Sequence, residues 1–138
     1  MGTNDVVRKL IRACVDDERT LQHECKFVGP GRSAHLMRLA RERRQFVGDL
    51  ERLAAPGQAA PGGSLGELLR EALRNLRVVA GGPNSGDAIA SCRQSRSRTQ
   101  ACYDRALLGP MADEPRCVLE SQRRRLDEEA LGLSRLEL

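Results

Sequence analysis

Four long segments of the chain place apolar residues at alternating steps of three and four, the spacing that lines one face of an α-helix. Clusters containing glycine and proline separate the segments, at 29–31, 55–63, 81–84 and 109–111. No segment alternates apolar and polar residues with a period of two, so we expect no β-sheet. The pattern predicts bundle helices at about 4–28, 33–54, 84–108 and 113–136, with a shorter helix at about 64–80.

Long helices of matched length that are joined by short loops favour a helical bundle. The connection between the second and third bundle helices is different, because it holds a Pro/Gly-rich stretch and then the apolar segment 64–80. That connection is long enough to carry the chain from one end of a bundle to the other. We therefore predict an all-α fold, one domain over 1–138, with two antiparallel hairpins and a short crossover helix between them.

Each predicted bundle helix has a polar or charged residue near the middle of its inward row. Glu18 interrupts the first row, and either Glu42 or Arg43 interrupts the second. Arg96 interrupts the third row. Four interruptions at comparable depth predict a polar layer inside the bundle. We assign six residues to this internal polar layer: Glu18, Glu42, Gln45, Arg96, Gln122 and Glu129.

Inward carboxylates need compensation, because a buried charge without a partner is costly. One solution is a metal ion, for which carboxylates and histidines in the middle of a bundle are usual ligands. The other solution is an internal cation. Arg96 offers one on the third bundle helix, and its guanidinium group can bind two carboxylates.

Several motifs resemble a bacterial family of ferritin-like four-helix bundles, a domain of unknown function. The resemblance covers nearly the whole chain and implies a bundle with a long crossover connection, without implying an activity. It is carried by LIRACVDDERTL (10–21), LARERRQFVGDL (39–50), GSLGELLREALRNL (63–76) and ACYDRAL (101–107).

Ferritin-like di-iron proteins take a glutamate from each of two helices and Glu-x-x-His from each of the other two. Glu18 and Glu42 match carboxylate positions, but Gln45 stands where a histidine is needed and Arg96 where a carboxylate is needed. We therefore expect no metal and no cofactor, and a degenerate site in which Arg96 replaces the metal charge. The alternative ligand set for a metal, if one binds, is Glu18, Glu42 and Glu129.

The composition narrows the remaining function classes. The chain has 23 lysine and arginine residues and 19 acidic residues, so we expect a surface of mixed charge that does not single out nucleic acid as a partner. It also has few aromatic side chains that could stack on bases. The five cysteines are odd in number and have no C-x-x-C spacing, which favours free thiols in a reducing compartment. Without a signal-like or membrane-spanning segment, we expect a cytoplasmic location and no membrane partner.

Our leading hypothesis is a non-enzymatic helical bundle that acts as a structural or interaction protein. We expect it to form a homo-oligomer, such as a dimer, or to bind a protein partner through the Leu-rich face of segment 64–80. The alternative is a metal-dependent redox or metal-storage protein, like the di-iron and di-manganese bundles but with an atypical ligand set. A nucleic-acid-binding bundle is a third hypothesis, and it predicts affinity that falls steeply with salt.

Overall fold

The structure is a computed structural model that describes residues 2–54 and 85–136. These residues form four α-helices and no strand, which confirms the all-helical prediction for the described part of the chain. The predicted helix at 64–80 and its crossover lie outside the described residues. The helices are α1 Thr3–Glu24, α2 Pro30–Ala54, α3 Ser85–Leu108 and α4 Asp113–Leu136, and a short 3₁₀ helix, Cys25–Phe27, follows α1.

The boundaries of α3 and α4 agree with the sequence pattern to within one residue. Helix α1, predicted to end at about 28, ends at Glu24 and is followed by the 3₁₀ helix, and the prediction for α2 differs at its start. We predicted that this helix begins at Ser33, but it begins three residues earlier at Pro30. Proline is tolerated in the first turn of a helix, where an amide hydrogen would have no helical acceptor. The amide of Ser33 donates to the carbonyl oxygen of Gly29 at 2.8 Å, which closes this first turn.

The helices α1 and α2 form an antiparallel hairpin. Asp17 contacts Arg43, and just beyond the end of α1 the thiol of Cys25 contacts Met37, so residue numbers rise along one helix as they fall along the other. The helices α3 and α4 form a second antiparallel hairpin, because Gln100 pairs with Asp127 and Asp104 with Arg123.

The two hairpins pack with α1 against α3 and α2 against α4, again antiparallel. Cys14 meets Tyr103 and Asp17 meets Ser95 across the first contact. Gln122 meets the backbone of Phe46, and Glu129 meets Arg43, across the second. The helices α2 and α3 therefore run in the same direction. Because they do, the end of α2 and the start of α3 lie at opposite ends of the bundle.

The apolar core of the described residues is divided into two clusters. Both clusters draw on all four helices, and a layer of buried polar side chains lies between them along each helix. The larger cluster contains Val7, Leu10, Ile11, Cys14, Val15, Phe46, Val47, Leu50, Ala54, Tyr103, Ala106, Leu119 and Leu126. The smaller cluster contains Leu21, Leu36, Leu39, Ala40, Ile89, Cys92 and Leu133.

Candidate functional site

Arg43 lies at the centre of the polar layer and is only 1% exposed. Its Nε donates to Oδ2 of Asp17 at 2.6 Å, and its Nη2 donates to both carboxylate oxygens of Glu129 at 2.9 and 3.0 Å. The planar guanidinium group can serve both partners because its donors are fixed in a fork. One cation thus joins α1, α2 and α4.

The remaining helix, α3, reaches the same layer through Ser95. Its hydroxyl donates to Oδ1 of Asp17 at 2.6 Å, so each oxygen of this carboxylate accepts one hydrogen bond. Asp17 is 1% exposed and Ser95 is 4% exposed. Short, charge-assisted bonds of this kind are stronger than bonds between neutral groups. The layer is therefore built from one side chain of each helix: Asp17, Arg43, Ser95 and Glu129.

The buried partners of Arg43 keep its guanidinium group charged. Burial by itself lowers the pKa of Arg43, but Asp17 and Glu129 more than offset this, and the pKa is raised above its ordinary value. The guanidinium carbon also lies 5.0 Å from the ring centroid of Phe46, within reach of a cation–π attraction. Arg43 consequently keeps its positive charge at the centre of the bundle.

The carboxyl group of Glu129 behaves differently from an exposed glutamate. Burial raises its pKa to about 7, although Arg43 acts in the opposite direction, and the neighbouring carboxyl of Glu42 raises it further. Glu129 is 7% exposed. This carboxyl therefore changes its charge near neutral pH.

A second buried polar group lies inside the larger apolar cluster. The hydroxyl of Tyr103 donates to Oε1 of Gln122 and lies 3.4 Å from the sulfur of Cys14. Gln122 in turn donates from Nε2 to the carbonyl oxygen of Phe46 at 3.3 Å. These contacts again join all four helices. Burial raises the pKa of the Cys14 thiol to about 12, and it raises the pKa of Tyr103 well above its ordinary value.

The structure corrects the sequence-based choice of the internal cation. Arg96 is half-buried, and its Nη1 donates to Gln100 and to the carbonyl oxygen of Leu126 at 3.3 Å. It pairs with neither Glu18 nor Glu42. The physical reason is a register shift of one residue on α3, which turns Ser95 inward and leaves Arg96 at the interface with α4.

The other five predicted residues of the polar layer are divided between core and surface. Gln122 and Glu129 are buried, whereas Gln45 is exposed. The side chain of Glu18 is 12% exposed and pairs with Arg44, and that of Glu42 is 20% exposed and pairs with Arg125. Glu18 and Glu42 thus lie at the edge of the core and Gln45 lies on the surface. The reason is that the inward positions of α1 and α2 are Asp17 and Arg43.

Sequence reasoning missed Asp17 and Ser95, and it left Arg43 as one of two options. The sequence contains a weak signal for Asp17, because Leu10 and Ile11 are adjacent apolar residues and an inward row can be counted from either one. Both prove to be buried. Steps of four and three counted from Leu10 lead to Cys14, Asp17 and Leu21, whereas the same count shifted to Ile11 leads to Glu18. The two registers cannot be separated by periodicity alone.

The three alternative metal ligands do not share one site, because Glu42 and Glu129 line the cleft between α2 and α4 whereas Glu18 lines the cleft between α1 and α2. Glu18, Glu42 and Glu129 each pair with a different arginine, namely Arg44, Arg125 and Arg43. Within residues 2–54 and 85–136 no group of three histidine, cysteine, aspartate or glutamate side chains has an arrangement that could hold a metal ion. The two histidines make other contacts: the ring of His23 packs edge-on against Phe27, and His35 accepts a hydrogen bond from Arg38.

The surface offers shallow clefts between neighbouring helices. One cleft of about 450 Å³ lies between α1 and α2, beside the Glu18–Arg44 ion pair. A second cleft of about 400 Å³ lies between α2 and α4 and is lined by His35, Glu42 and Glu129. Of the helices that the structure describes, none is both long and apolar enough to cross a membrane.

Comparison with known proteins identifies no relative of this chain. No protein-family model matches the chain, and no curated protein or solved structure matches it either.

Proposed function

We propose that this chain is a non-enzymatic helical bundle with a structural or interaction role, built on a ferritin-like plan in which an arginine has taken over the place of a metal. The observation that carries this proposal is the burial of Arg43 between Asp17 and Glu129. A guanidinium group is a permanent cation and cannot serve as a metal ligand. It therefore supplies the charge balance that a metal would otherwise give to inward carboxylates.

The direction of the helices supports the ferritin-like part of the proposal. Two antiparallel hairpins are joined so that α2 and α3 run in the same direction, with Ala54 and Ser85 at opposite ends. A four-helix bundle with one long crossover connection has this arrangement, and ferritin-like folds are its best-known examples. The motifs quoted above and the predicted crossover segment 64–80 agree with it.

Self-association and a cytoplasmic location belong to the same proposal. The apolar periodicity of 64–80 in the sequence gives a surface that could bind a second copy or a protein partner. The five cysteines, all of them free, suit a reducing compartment. Light scattering at high protein concentration tests the first point: we expect a dimer or larger species, and a strict monomer contradicts it.

Metal analysis tests the structural role against the redox and storage alternative. For protein purified without a chelator, we expect no stoichiometric iron or manganese and no change in melting temperature when either ion is added. The matched variants are Glu129→Gln, which alters the layer, and Glu128→Gln on the exposed face of the same helix. Stoichiometric metal that is lost in Glu129→Gln and kept in Glu128→Gln overturns the proposal.

A further inference from the structure

The charges around Glu129 do not balance if every carboxylate is ionised. Asp17 and Glu129 share the single guanidinium of Arg43, and Glu42 pairs with Arg125 through Oε1. Two buried carboxylates against one buried guanidinium group leave one negative charge in excess inside the bundle, whereas the Glu42–Arg125 pair at its edge is balanced. An uncompensated buried charge of this kind is costly, so a proton is the simplest compensation.

Glu42 supplies an independent geometric observation. Its Oε2 is buried and accepts no hydrogen bond from any donor in the described residues. Glu42 and Glu129 both line the cleft between α2 and α4, and a hydrogen bond with Glu42 is among the causes that raise the pKa of Glu129. Two carboxylate oxygens can form a hydrogen bond only if one of them carries a proton.

His35 does not provide the missing positive charge. Arg38 donates from Nη2 to Nδ1 of His35 at 2.7 Å, so Nδ1 must be the unprotonated nitrogen of the ring. Burial and then Arg38 lower the pKa of His35. The imidazole is therefore neutral at neutral pH, and the cleft has no cation other than its arginines.

We propose that Glu42 and Glu129 form a carboxyl–carboxylate pair that holds one proton at neutral pH. The proton bridges the two helices α2 and α4, and with it the cluster has no net charge. Loss of the proton leaves two carboxylates facing each other and weakens the contact between α2 and α4. The charged or titratable side chains around the pair are Asp17 from α1, His35, Arg38 and Arg43 from α2, Arg96 from α3, and Arg125 and Glu128 from α4.

The proton has a defined effect on stability. Because the folded chain holds it more tightly than the unfolded chain does, the stabilisation by Glu129 is complete below the ordinary glutamate pKa of 4.5. It is lost as the pH rises through the raised pKa of about 7. We therefore expect the melting temperature of the full chain to fall across this interval, apart from the effects of other groups.

The proposal is tested by carbon-13 NMR of the full chain with labelled glutamate, titrated from about pH 4 to about pH 9. In the wild type we expect one carboxyl group to titrate near pH 7. Glu129→Gln should abolish this titration and flatten the fall in melting temperature over the same interval. Glu42→Gln should lower the midpoint, since an amide donates to Glu129 and removes the facing charge.

Glu128→Gln is the matched control, because Glu128 is on the same helix with its side chain 59% exposed. It should leave the titration midpoint unchanged. The proposal is overturned if every glutamate of the wild type titrates below about pH 5.5. It is equally overturned if Glu128→Gln moves the midpoint as far as Glu42→Gln does.

Discussion

The decisive residue of this bundle is Arg43, a buried arginine whose two neighbours in sequence both lie outside the core. Arg43 is 1% exposed and bonded to two carboxylates, whereas the side chain of Arg44 is 70% exposed and pairs with Glu18 at the rim. Glu42, on its other side, lies in the cleft facing α4. Of two adjacent arginines, therefore, only the buried one, Arg43, binds the carboxylates of the core.

Ser95 tests the hydrogen-bonded support of Asp17. In Ser95→Ala we expect a loss of about 1.5–3 kcal/mol in the free energy of unfolding, because a buried carboxylate loses a hydroxyl donor. Chemical denaturation of the variant measures this value. The control is Ser97→Ala, which changes an exposed serine two residues away on the same helix and should stay within about 0.5 kcal/mol. Equal effects of the two substitutions contradict the proposed contact with Asp17.

At the scale of the elements, the limits of α3 and α4 could be predicted from the sequence to within one residue, but helix rotation could not. The bounds of α4 agree with the prediction at both ends, because glycine and proline interrupt the apolar period clearly before it. The inward positions on α1 and α3 were each predicted one residue away from the observed ones, Asp17 and Ser95. A helix with two adjacent apolar residues, such as Leu10 and Ile11, accepts either register.

Four helices also meet at the buried pair of Tyr103 and Gln122. Tyr103→Phe keeps the ring but removes the hydroxyl donor, so that Oε1 of Gln122 is left buried without its partner. We expect a loss of about 1–3 kcal/mol in the free energy of unfolding, measured by chemical denaturation.

A double-mutant cycle shows whether that loss comes from the contact itself. In Tyr103→Phe/Gln122→Leu both polar partners are absent, and we expect the double variant to lose less than the sum of the two single changes. Strict additivity of the two losses contradicts a direct interaction between these side chains.

On the scale of the whole molecule, the polar layer separates two apolar clusters and joins the two hairpins. The all-helical class and the existence of an internal polar layer could be predicted, since both follow from periodicity and from charge at inward positions. The identity of the cation could not, because Arg43 and Arg96 both interrupt apolar rows and only the packing of the hairpins decides between them. Glu129 was placed in the layer from sequence, but its proton depends on the contact with Glu42, which no pattern reveals.

The cysteines report on the integrity of the whole fold. Cys117 is exposed, whereas Cys14 and Cys92 are fully buried with a raised thiol pKa, which suppresses the reactive thiolate. We expect a thiol reagent to label Cys117 in the folded protein and to reach the other two only on unfolding, as followed by site-resolved mass spectrometry. Labelling of Cys14 at the rate of Cys117 contradicts the packing described above.

The central claim is that Arg43 holds the middle of the bundle, and the free energy of unfolding of Arg43→Ala tests it most directly. Arg43→Ala leaves Asp17 and Glu129 buried without their cation, and we expect a loss of about 3–5 kcal/mol. Arg44→Ala, the adjacent exposed control, should lose at most about 1 kcal/mol. A loss in Arg43→Ala no larger than that in Arg44→Ala contradicts the account.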